Sequence, residues 1–484
     1  MKFRLHAEQS VTILLVVAGL ISIGWWLSRD PVRELVTSEP GLDNRGEGGV
    51  VADIDIGAYY EKLGTLENQP GIADNQLQET WPRFRGEYFD NISRSDVSLI
   101  DRFPEGGPMV KWSVELGEGH AGAAIYKGAV YVMDYDEEQR ADILRCFSLV
   151  DGEEIWRRGY FINLKRNHGM SRTVPAVTED YAVTIGPRSH VMCVRREDGE
   201  FVWGLNVEKD YQAEIPLWYT GQCPLVDEGK AIIAVGGSVL MVAVDLETGE
   251  VLWETPNEGS WQMSHSSVIP WEYNGVKMYV YSAYGGVCGV AAEGPRAGSI
   301  LWQTNAWNHQ VVAPAPICFD DGKVYLTAGY GAGAMVLQVT PSGQQFTVEV
   351  LNEYTPKEGL ASEQQTPVVY EGYVLGILPK DAGPKRNELI CVYPDDFTRV
   401  VWSSGQDKRF GLGPYMIADN KLFIVSDDGT LTIARPSPRE YIELDSYRVL
   451  DGHDAWGPLA LADGYMVMRD SKTMVCIDLS AERQ

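Results

Sequence analysis

The sequence predicts an all-β fold: an eight-bladed β-propeller with four antiparallel strands per blade, preceded by one N-terminal transmembrane helix. Three observations support this prediction. A two-part strand pattern repeats eight times between residues 108 and 479, the two ends of the repeats complement each other, and residues 11–27 carry no charge. The chain accordingly divides into residues 1–28, a cytoplasmic stub with a transmembrane signal anchor, residues 29–79, a flexible tether, and residues 80–484, the propeller.

The predicted anchor, residues 11–27, reads VTILLVVAGLISIGWWL. At about 1.5 Å per residue this helix spans about 25 Å, slightly less than a hydrocarbon layer of about 30 Å. A cleaved secretory signal is the alternative, but small residues would then follow the apolar run, which ends in WWL and is followed by Ser28-Arg29-Asp30 instead. A lipoprotein signal is excluded because the first cysteine is Cys146. Two basic residues flank the segment on each side, so charge alone leaves its orientation open.

Composition supports the β fold and restricts the partners. The chain contains 50 Gly, 24 Tyr and 14 Trp, a mixture typical of short strands and tight turns. Its 41 Lys and Arg against 68 Asp and Glu give a formal net charge of −27. Phosphate backbones repel such a chain, so we expect no nucleic acid partner. Residues 29–79 combine glycines, prolines and scattered charges without periodicity, which is typical of a loose tether.

The first half of the repeat is a strand, a turn and a second strand. Its eight copies span residues 123–133, 175–185, 224–235, 267–281, 316–327, 367–377, 414–425 and 458–468. The second half is a strand, a turn and a strand that usually carries an aromatic residue. Its seven copies span residues 144–156, 191–203, 241–253, 286–302, 336–346, 389–402 and 431–444. Together the two halves predict four strands per blade.

The ends of the repeat region predict a closed ring. The last copy stops at MVCIDLS (474–480) without its outer strand, and an orphan outer strand, VKWSVEL (110–116), precedes the first copy. A blade shared between both chain ends closes the ring and removes exposed strand edges. One large aromatic residue recurs at a single repeat position, and we expect these side chains to pack one blade against the next. They are Trp112, Trp156, Trp203, Trp253, Trp302, Phe346 and Trp402.

The seven cysteines are predicted to be structural. Five of them fall at one position of the third strand in different blades, so they lie too far apart to pair. These five are Cys146, Cys193, Cys288, Cys391 and Cys476. No C-x-x-C motif suggests a zinc site, and no metal site is expected.

The repeats resemble those of the quinoprotein-like propeller proteins. The unit AVDLETGEVLW (243–253) matches the tryptophan-docking pattern of that family, and WPRFRGEYFDNISRS (81–95) is similar to the lead-in of many bacterial members. The resemblance implies one of two functional classes: dehydrogenases that hold pyrroloquinoline quinone and calcium over the central channel, or non-enzymatic envelope scaffolds similar to BamB. Many of the alcohol dehydrogenases carry adjacent cysteines beside the quinone. This sequence has none, which favours the scaffold class.

The histidines predict a binding face. Five of them precede the first strand of a blade, in connections that should emerge on one face around the axis. Histidine and glutamine both donate and accept hydrogen bonds, and arginine binds carboxylates or phosphates. The alternative is that these side chains only satisfy backbone groups along the channel. The candidate face comprises His120, His168, Arg172, Gln222, His265, His309, Gln310, Gln365, His453, Asp454 and Trp456, with Lys380 and Lys385 in neighbouring loops.

We therefore expect a membrane-anchored, non-catalytic propeller that presents a binding face for protein assembly or envelope organisation. One alternative is a dehydrogenase that holds pyrroloquinoline quinone and calcium among His265, Arg172, Gln310 and His453. A second alternative is a polysaccharide- or anion-binding module. The expected partners are envelope or membrane proteins. The apolar segment 11–27 predicts a single-pass anchor in the inner (cytoplasmic) membrane, and the family resemblance implies that the propeller lies on the periplasmic side.

Overall fold

The computed structural model describes residues 7–28 and 53–483, and the chain divides into two units, Met1–Arg45 and Gly46–Gln484. In the first unit, the residues that the structure describes form the helix Ala7–Ser28, which includes the predicted apolar segment. Among the residues that are described, no helix is both long and apolar enough to cross a membrane. The prediction of a transmembrane helix therefore gains no support from the structure.

The second unit is the predicted eight-bladed propeller, with four antiparallel strands in each blade. We letter the strands a to d from the central axis outwards. In blades 1 to 4 the strands are Ala123–Tyr126, Ala129–Asp136, Ala141–Ser148 and Glu154–Phe161; Ala176–Val177, Tyr181–Ile185, His190–Arg195 and Phe201–Asn206; Leu225–Asp227, Lys230–Ala234, Val239–Asp245 and Val251–Pro256; Ile269–Tyr273, Val276–Ala283, Gly286–Ala291 and Ile300–Thr304. In blades 5 to 8 they are Ile317–Cys318, Lys323–Ala328, Gly333–Ser342 and Gln345–Tyr354; Val368–Tyr370, Tyr373–Ile377, Leu389–Tyr393 and Asp396–Ser403; Tyr415–Ala418, Lys421–Val425, Thr430–Arg435 and Ile442–Arg448; Ala460–Ala462, Tyr465–Arg469, Thr473–Asp478 and Met109–Glu115. Short helices occupy Val207–Asp210 and, in 3-10 form, Leu66–Asn68, Gly294–Arg296 and Gly383–Lys385.

The ring closes as the sequence predicted. Met109–Glu115 is strand d of blade 8 and pairs antiparallel with strand c, Thr473–Asp478, from the other end of the chain. Trp112 lies opposite Cys476 in this ladder. The prediction of a shared blade is confirmed, and both sheet edges that an open ring would expose are paired.

The core lies between the blades rather than inside any one of them. Strands b and c are buried on both faces because each blade is packed between two neighbours. One apolar cluster, for example, joins Val191 of blade 2 to Val242 of blade 3. This explains why runs such as AIIAV (231–235) are continuously apolar instead of alternating.

The recurring aromatic residues contact neighbouring blades in different ways. Three donate the indole N–H to a backbone carbonyl in the c–d turn of the next blade: Trp112 to Leu149 at 2.8 Å, Trp203 to Leu246 at 2.9 Å and Trp402 to Ser437 at 2.8 Å. Trp156 and Trp253 pack on glycines of the corresponding turns, Gly199 and Gly298.

Two of these aromatic residues do not follow the predicted arrangement. The indole N–H of Trp302 points to Met278 Sδ of its own blade at 3.2 Å. Phe346 faces Tyr273 of the preceding blade, with ring centroids 6.1 Å apart. In blade 5 strands c and d are ten residues long, and a Cβ added at Gly343 in the turn between them would meet no other atom within 4 Å.

All seven cysteines are free; six are buried and Cys318 is half-buried. Four of the five third-strand cysteines lie directly opposite a docking tryptophan, as Cys146 lies opposite Trp156. Cys288 is displaced by one position, because Gly289 is the residue opposite Trp302.

The N-terminal part of the propeller unit is folded rather than loose. Tyr59–Lys62 adds a fifth strand outside strand d of blade 1. Leu66 and Leu77 are buried in the core cluster that includes blade 1. The prediction of a flexible tether over 29–79 is therefore wrong for residues 53–79, because apolar contacts and ladder hydrogen bonds fix them. Residues 29–52 lie outside the described part of the chain.

Residues 80–93 cross the central channel, and we call them the channel segment. Thr80–Trp81 pairs with strand a of blade 1. The carbonyl of Pro82 accepts from the Val177 N–H of blade 2 at 2.8 Å, and Arg83 Nη1 donates to the Val226 carbonyl of blade 3 at 2.8 Å. Across the channel, Ile92 forms a parallel bridge with Ile417 of blade 7. The segment therefore joins strands from opposite sides of the ring.

Candidate functional site

A cavity of about 290 Å³ lies on the propeller axis, and we call it the axial cavity. Each of the eight connections between strand d of one blade and strand a of the next contributes to its lining. Tyr330 and Lys380 add b–c loops from blades 5 and 6, and Phe84 of the channel segment also lines it. The axial cavity is therefore built by the face that the histidine positions predicted.

Six of the predicted face residues line this cavity. They are His120, His168, Arg172, His265, Gln365 and Trp456. Two rings are in contact here: His120 and Trp456 have centroids 4.8 Å apart. Gln365 Nε2 donates to the Trp456 carbonyl at 3.3 Å, which links the connection before blade 6 to the connection before blade 8.

The other five predicted residues do not line the axial cavity. Gln222 is buried and exchanges hydrogen bonds with the backbone of Ala234, so its role is structural. His309 packs edge-on against buried Trp307, with centroids 4.4 Å apart, and Gln310 is exposed. His453 and Asp454 bond each other at 2.9 Å.

His453 lies in a separate surface depression with Asp451, Asp470 and Lys472. The reason is local: Asp454 has φ of 57°, which turns the chain between His453 and Trp456. A residue's position in a connection therefore predicts the face on which it lies but not the direction of its side chain.

Arg172 is the principal cation of the cavity, and backbone carbonyls hold it. Its Nε donates to the Trp218 carbonyl at 2.5 Å, and its Nη2 donates to the carbonyls of Asn167 at 2.8 Å and His168 at 2.9 Å. Burial lowers the pKa of Arg172 to about 10, which leaves it charged at neutral pH. Within residues 53–483 it forms no ion pair, since the nearby carboxylate of Glu118 is bonded to Arg166 at 2.5 Å.

Aromatic side chains form the wall beside Arg172. The Trp218 ring stacks on Tyr330 with centroids 5.6 Å apart and an interplanar angle of 24°, and its centroid lies 6.3 Å from that of the His265 ring. Sequence reasoning missed Trp218, Tyr330 and Phe84, because none belongs to the repeat. The backbone marks two of them: φ is 61° at Trp218 and 58° at Tyr330, values uncommon for bulky residues and often found at functional sites.

The buried histidines of the cavity are neutral groups. Burial, reinforced by the charge of Arg172, lowers the pKa of His120 and of His265 to about 3. Both can therefore offer a hydrogen-bond donor or acceptor near neutral pH, but neither adds charge. The formal charges in the lining are the cations Arg172 and Lys380 and the carboxylate Glu363, whose pKa burial raises.

A family model described as outer membrane protein assembly factor BamB matches residues 139–392, more than half of the chain. The chain belongs to the BamB family. No curated protein sequence matches it. The crystal structure of BamB from Moraxella catarrhalis aligns with a TM-score of 0.50 at 10% identity, covering 76% of this chain and 99% of that one. A quinohemoprotein alcohol dehydrogenase from Comamonas testosteroni aligns with a TM-score of 0.44 at 12% identity, covering 83% and 80%. At 10% identity, the alignment with the Moraxella catarrhalis structure shows a shared fold alone.

The residues of the cavity do not fit a quinone held with calcium. Calcium takes six to eight oxygen ligands, usually including several carboxylates. Glu363 is the sole carboxylate in the lining, and it accepts a hydrogen bond from the Lys380 backbone N–H at 3.3 Å. Within residues 7–28 and 53–483, no group of three or more His, Cys, Asp or Glu is arranged to hold a metal ion. Of the four residues predicted around the quinone, Gln310 and His453 lie outside the cavity.

Proposed function

We propose that the protein is a non-catalytic binding module of the cell envelope, which presents the face around the axial cavity to a partner protein during protein assembly. The observation that carries this proposal is the cavity itself. All eight d–a connections converge on it, and it holds a fixed arginine that has no acidic partner among residues 53–483. Membership of a family described as an assembly factor supports the same function.

The side chains of the axial cavity are better suited to binding a partner than to catalysing a reaction. Arg172 and the two buried neutral histidines are held by packing and backbone hydrogen bonds, so they are pre-organised to bind. Two nucleophilic side chains line the cavity: burial raises the pKa of the Cys223 thiol to about 11, and the Ser267 hydroxyl accepts a hydrogen bond from the Cys223 backbone N–H at 3.0 Å.

Position-specific photo-crosslinking tests the choice of face. His453 lies on the face of the d–a connections, its side chain is 75% exposed, and it does not line the cavity, so a photoreactive residue there leaves the site intact. Glu228 lies in an a–b turn on the opposite face and its side chain is 55% exposed. We expect one defined partner adduct from position 453 and none from position 228. Equal labelling from both positions, or none from either, would contradict the proposal.

Our proposal includes an inner-membrane location with the propeller on the periplasmic side. It rests on the uncharged sequence of residues 11–27 and on the family. Extraction of membranes with alkaline carbonate should leave the full-length chain in the pellet and release a variant that lacks residues 1–28. Protease added to spheroplasts should reach the propeller. A full-length chain that is released by carbonate would refute the anchor.

A quinone-dependent oxidoreductase remains the second function to test. Purified protein supplied with pyrroloquinoline quinone and calcium should show no dye reduction with alcohols, because the cavity lacks carboxylates for calcium. Sustained dye reduction that depends on both additions would replace the binding proposal by an enzymatic one.

A further inference from the structure

We propose that the axial cavity binds a single carboxylate, carried on an acidic side chain of the partner polypeptide, with Arg172 as its charged partner. This inference rests on the proposed function and names the chemistry by which the partner is recognised. It follows from the shape of the cavity, its charge and the spare hydrogen-bonding capacity of Arg172.

The shape of the cavity restricts the ligand to something small that enters from one side. The channel segment joins blades 1, 2, 3 and 7, and its Phe84 lies against the cavity. A ligand must therefore come from the face of the d–a connections. The volume of about 290 Å³ is at the lower limit of small-molecule sites, so one side chain fits, whereas a folded element does not.

The charge of the cavity selects an anion although the whole chain is acidic. Two cations of the lining, Arg172 and Lys380, face one carboxylate, Glu363, and the carboxylate of Asp427, just outside the lining, accepts the Trp456 indole N–H at 2.8 Å and also acts on Lys380. The excess of positive charge is therefore at Arg172. Lys380 lies over the Trp456 ring, 5.7 Å from its centroid, and like Arg172 it is in no ion pair within residues 53–483. A single cation of this kind matches one carboxylate better than a phosphate dianion.

The Nη1 group of Arg172, with its two N–H donors, is open to a ligand. Carbonyl groups occupy Nε and Nη2, whereas Nη1 has no hydrogen-bond partner among residues 53–483. Because the guanidinium is already fixed, binding an anion there costs little conformational entropy. A charge-assisted hydrogen bond in a site shielded from water is stronger than one at an exposed surface.

The aromatic wall favours a carboxylate on a carbon chain over a bare ion. Trp218 accepts from Arg172 through its carbonyl and stacks on Tyr330 through its ring, so one residue couples the cation to the apolar wall. Tyr330 is 63% exposed at the rim, where it can contact the residues that flank an inserted side chain.

Titration calorimetry with a matched pair of peptides tests the proposal. The probes are acetyl-Gly-Glu-Gly-amide and its neutral counterpart acetyl-Gly-Gln-Gly-amide, with sodium acetate and inorganic phosphate as free anions. We expect the acidic peptide to bind at least about 10-fold more tightly than the neutral one, with an affinity that falls as salt is added. Acetate or phosphate that binds as tightly as the acidic peptide would overturn the assignment to a polypeptide side chain. Equal affinity for both peptides, or no binding by either, would overturn the carboxylate.

Two variants locate the site without relying on Arg172 alone. Arg172→Gln should abolish the preference for the acidic peptide, but it also removes bonds to four carbonyls and could disturb the connection before blade 2. Lys380→Gln removes an exposed cation of the lining and should weaken binding of the acidic peptide about 3- to 10-fold. Lys385→Gln, an exposed lysine of the same loop outside the lining, is the matched control and should change nothing.

An unchanged affinity in both Lys380→Gln and Arg172→Gln would refute the site. This outcome differs from failure of the proposed function, because crosslinking from position 453 does not depend on the peptide. A partner adduct together with no preference for acidic peptides would retain the binding face and remove the carboxylate.

Discussion

Trp112, in the first strand of the propeller, lies opposite Cys476, near the end of the chain, and donates its indole N–H to the Leu149 carbonyl of blade 1 at 2.8 Å. One side chain thus holds together the shared blade and the blade that follows it. Because every blade is packed between two neighbours, the joint between blades 8 and 1 determines whether the ring is closed.

Replacing Trp112 by alanine should destabilise the propeller severely. Trp112→Ala removes a buried ring and a hydrogen bond, and we expect a loss of about 3–5 kcal/mol in the free energy of unfolding. Val110→Ala in the same strand is the control, since Val110 is 50% exposed and should cost about 0.5 kcal/mol or less. Urea denaturation of both variants measures the difference, and similar losses in the two would contradict the account.

A pair of glycines separates steric contact from backbone strain. Gly152 has φ of 73°, and a Cβ there would lie 2.7 Å from the Trp112 ring; Gly229 has φ of 75° and open space. Gly229→Ala should lower the free energy of unfolding by about 1–2 kcal/mol, because alanine is strained in the left-handed backbone conformation. Gly152→Ala should cost about 1–3 kcal/mol more, because the ring must also move. Thermal unfolding followed by circular dichroism compares them, and equal shifts would show that Trp112 is not packed on this turn.

Because the carboxyl of Asp142 is buried, we expect the free energy of unfolding to fall as the pH rises. Its carboxyl is fully buried and accepts from the Tyr160 hydroxyl at 2.6 Å, and burial raises its pKa from 3.8 to about 7. The folded state therefore binds the proton more tightly than the unfolded state, so this contribution is complete below about pH 4 and is lost as the pH rises through about 7. Asp142→Asn should make this slope shallower, so the variant should lose less stability between pH 5 and pH 8 than the unchanged protein does; Asp463, whose pKa burial raises to about 6, maintains part of the slope.

Urea midpoints at pH 5 and pH 8 check this prediction. Asp407→Asn, at an exposed position, serves as the control and should keep the slope of the unchanged protein. An unchanged slope in Asp142→Asn would show that other groups cause all of it.

Tyr330 should matter for binding and not for stability. Its ring is 63% exposed and stacks on Trp218. Tyr330→Ala should therefore weaken binding of the acidic peptide by about 2- to 10-fold and leave the melting temperature of the protein unchanged. Tyr88→Ala, 55% exposed on the channel segment, is the control for losing an exposed ring. Calorimetry and thermal unfolding of the two variants decide the point. An unaltered affinity in Tyr330→Ala would remove the aromatic wall from the site.

The sequence repeat was sufficient to predict nearly all of the fold, because the strand patterns and turns recur in every blade and the two ends of the repeat region complement each other. The channel segment could not be predicted in this way because it occurs only once. Its contacts with Val226 and Ile417 exist only after the blades have closed into a ring, so no local sequence pattern indicates them. For the site, the sequence predicted the face of the propeller but not the direction in which each side chain points. His120 and His453 occupy equivalent connections, yet the first stacks on Trp456 in the cavity and the second lies on the surface, because single φ angles turn the chain.

Competition between the peptides and the partner tests the central claim most directly. With a photoreactive residue at position 453, the acidic peptide should suppress the partner adduct, and its glutamine counterpart at the same concentration should not. An adduct that persists undiminished under saturating acidic peptide would contradict the claim that the partner is held through the axial cavity.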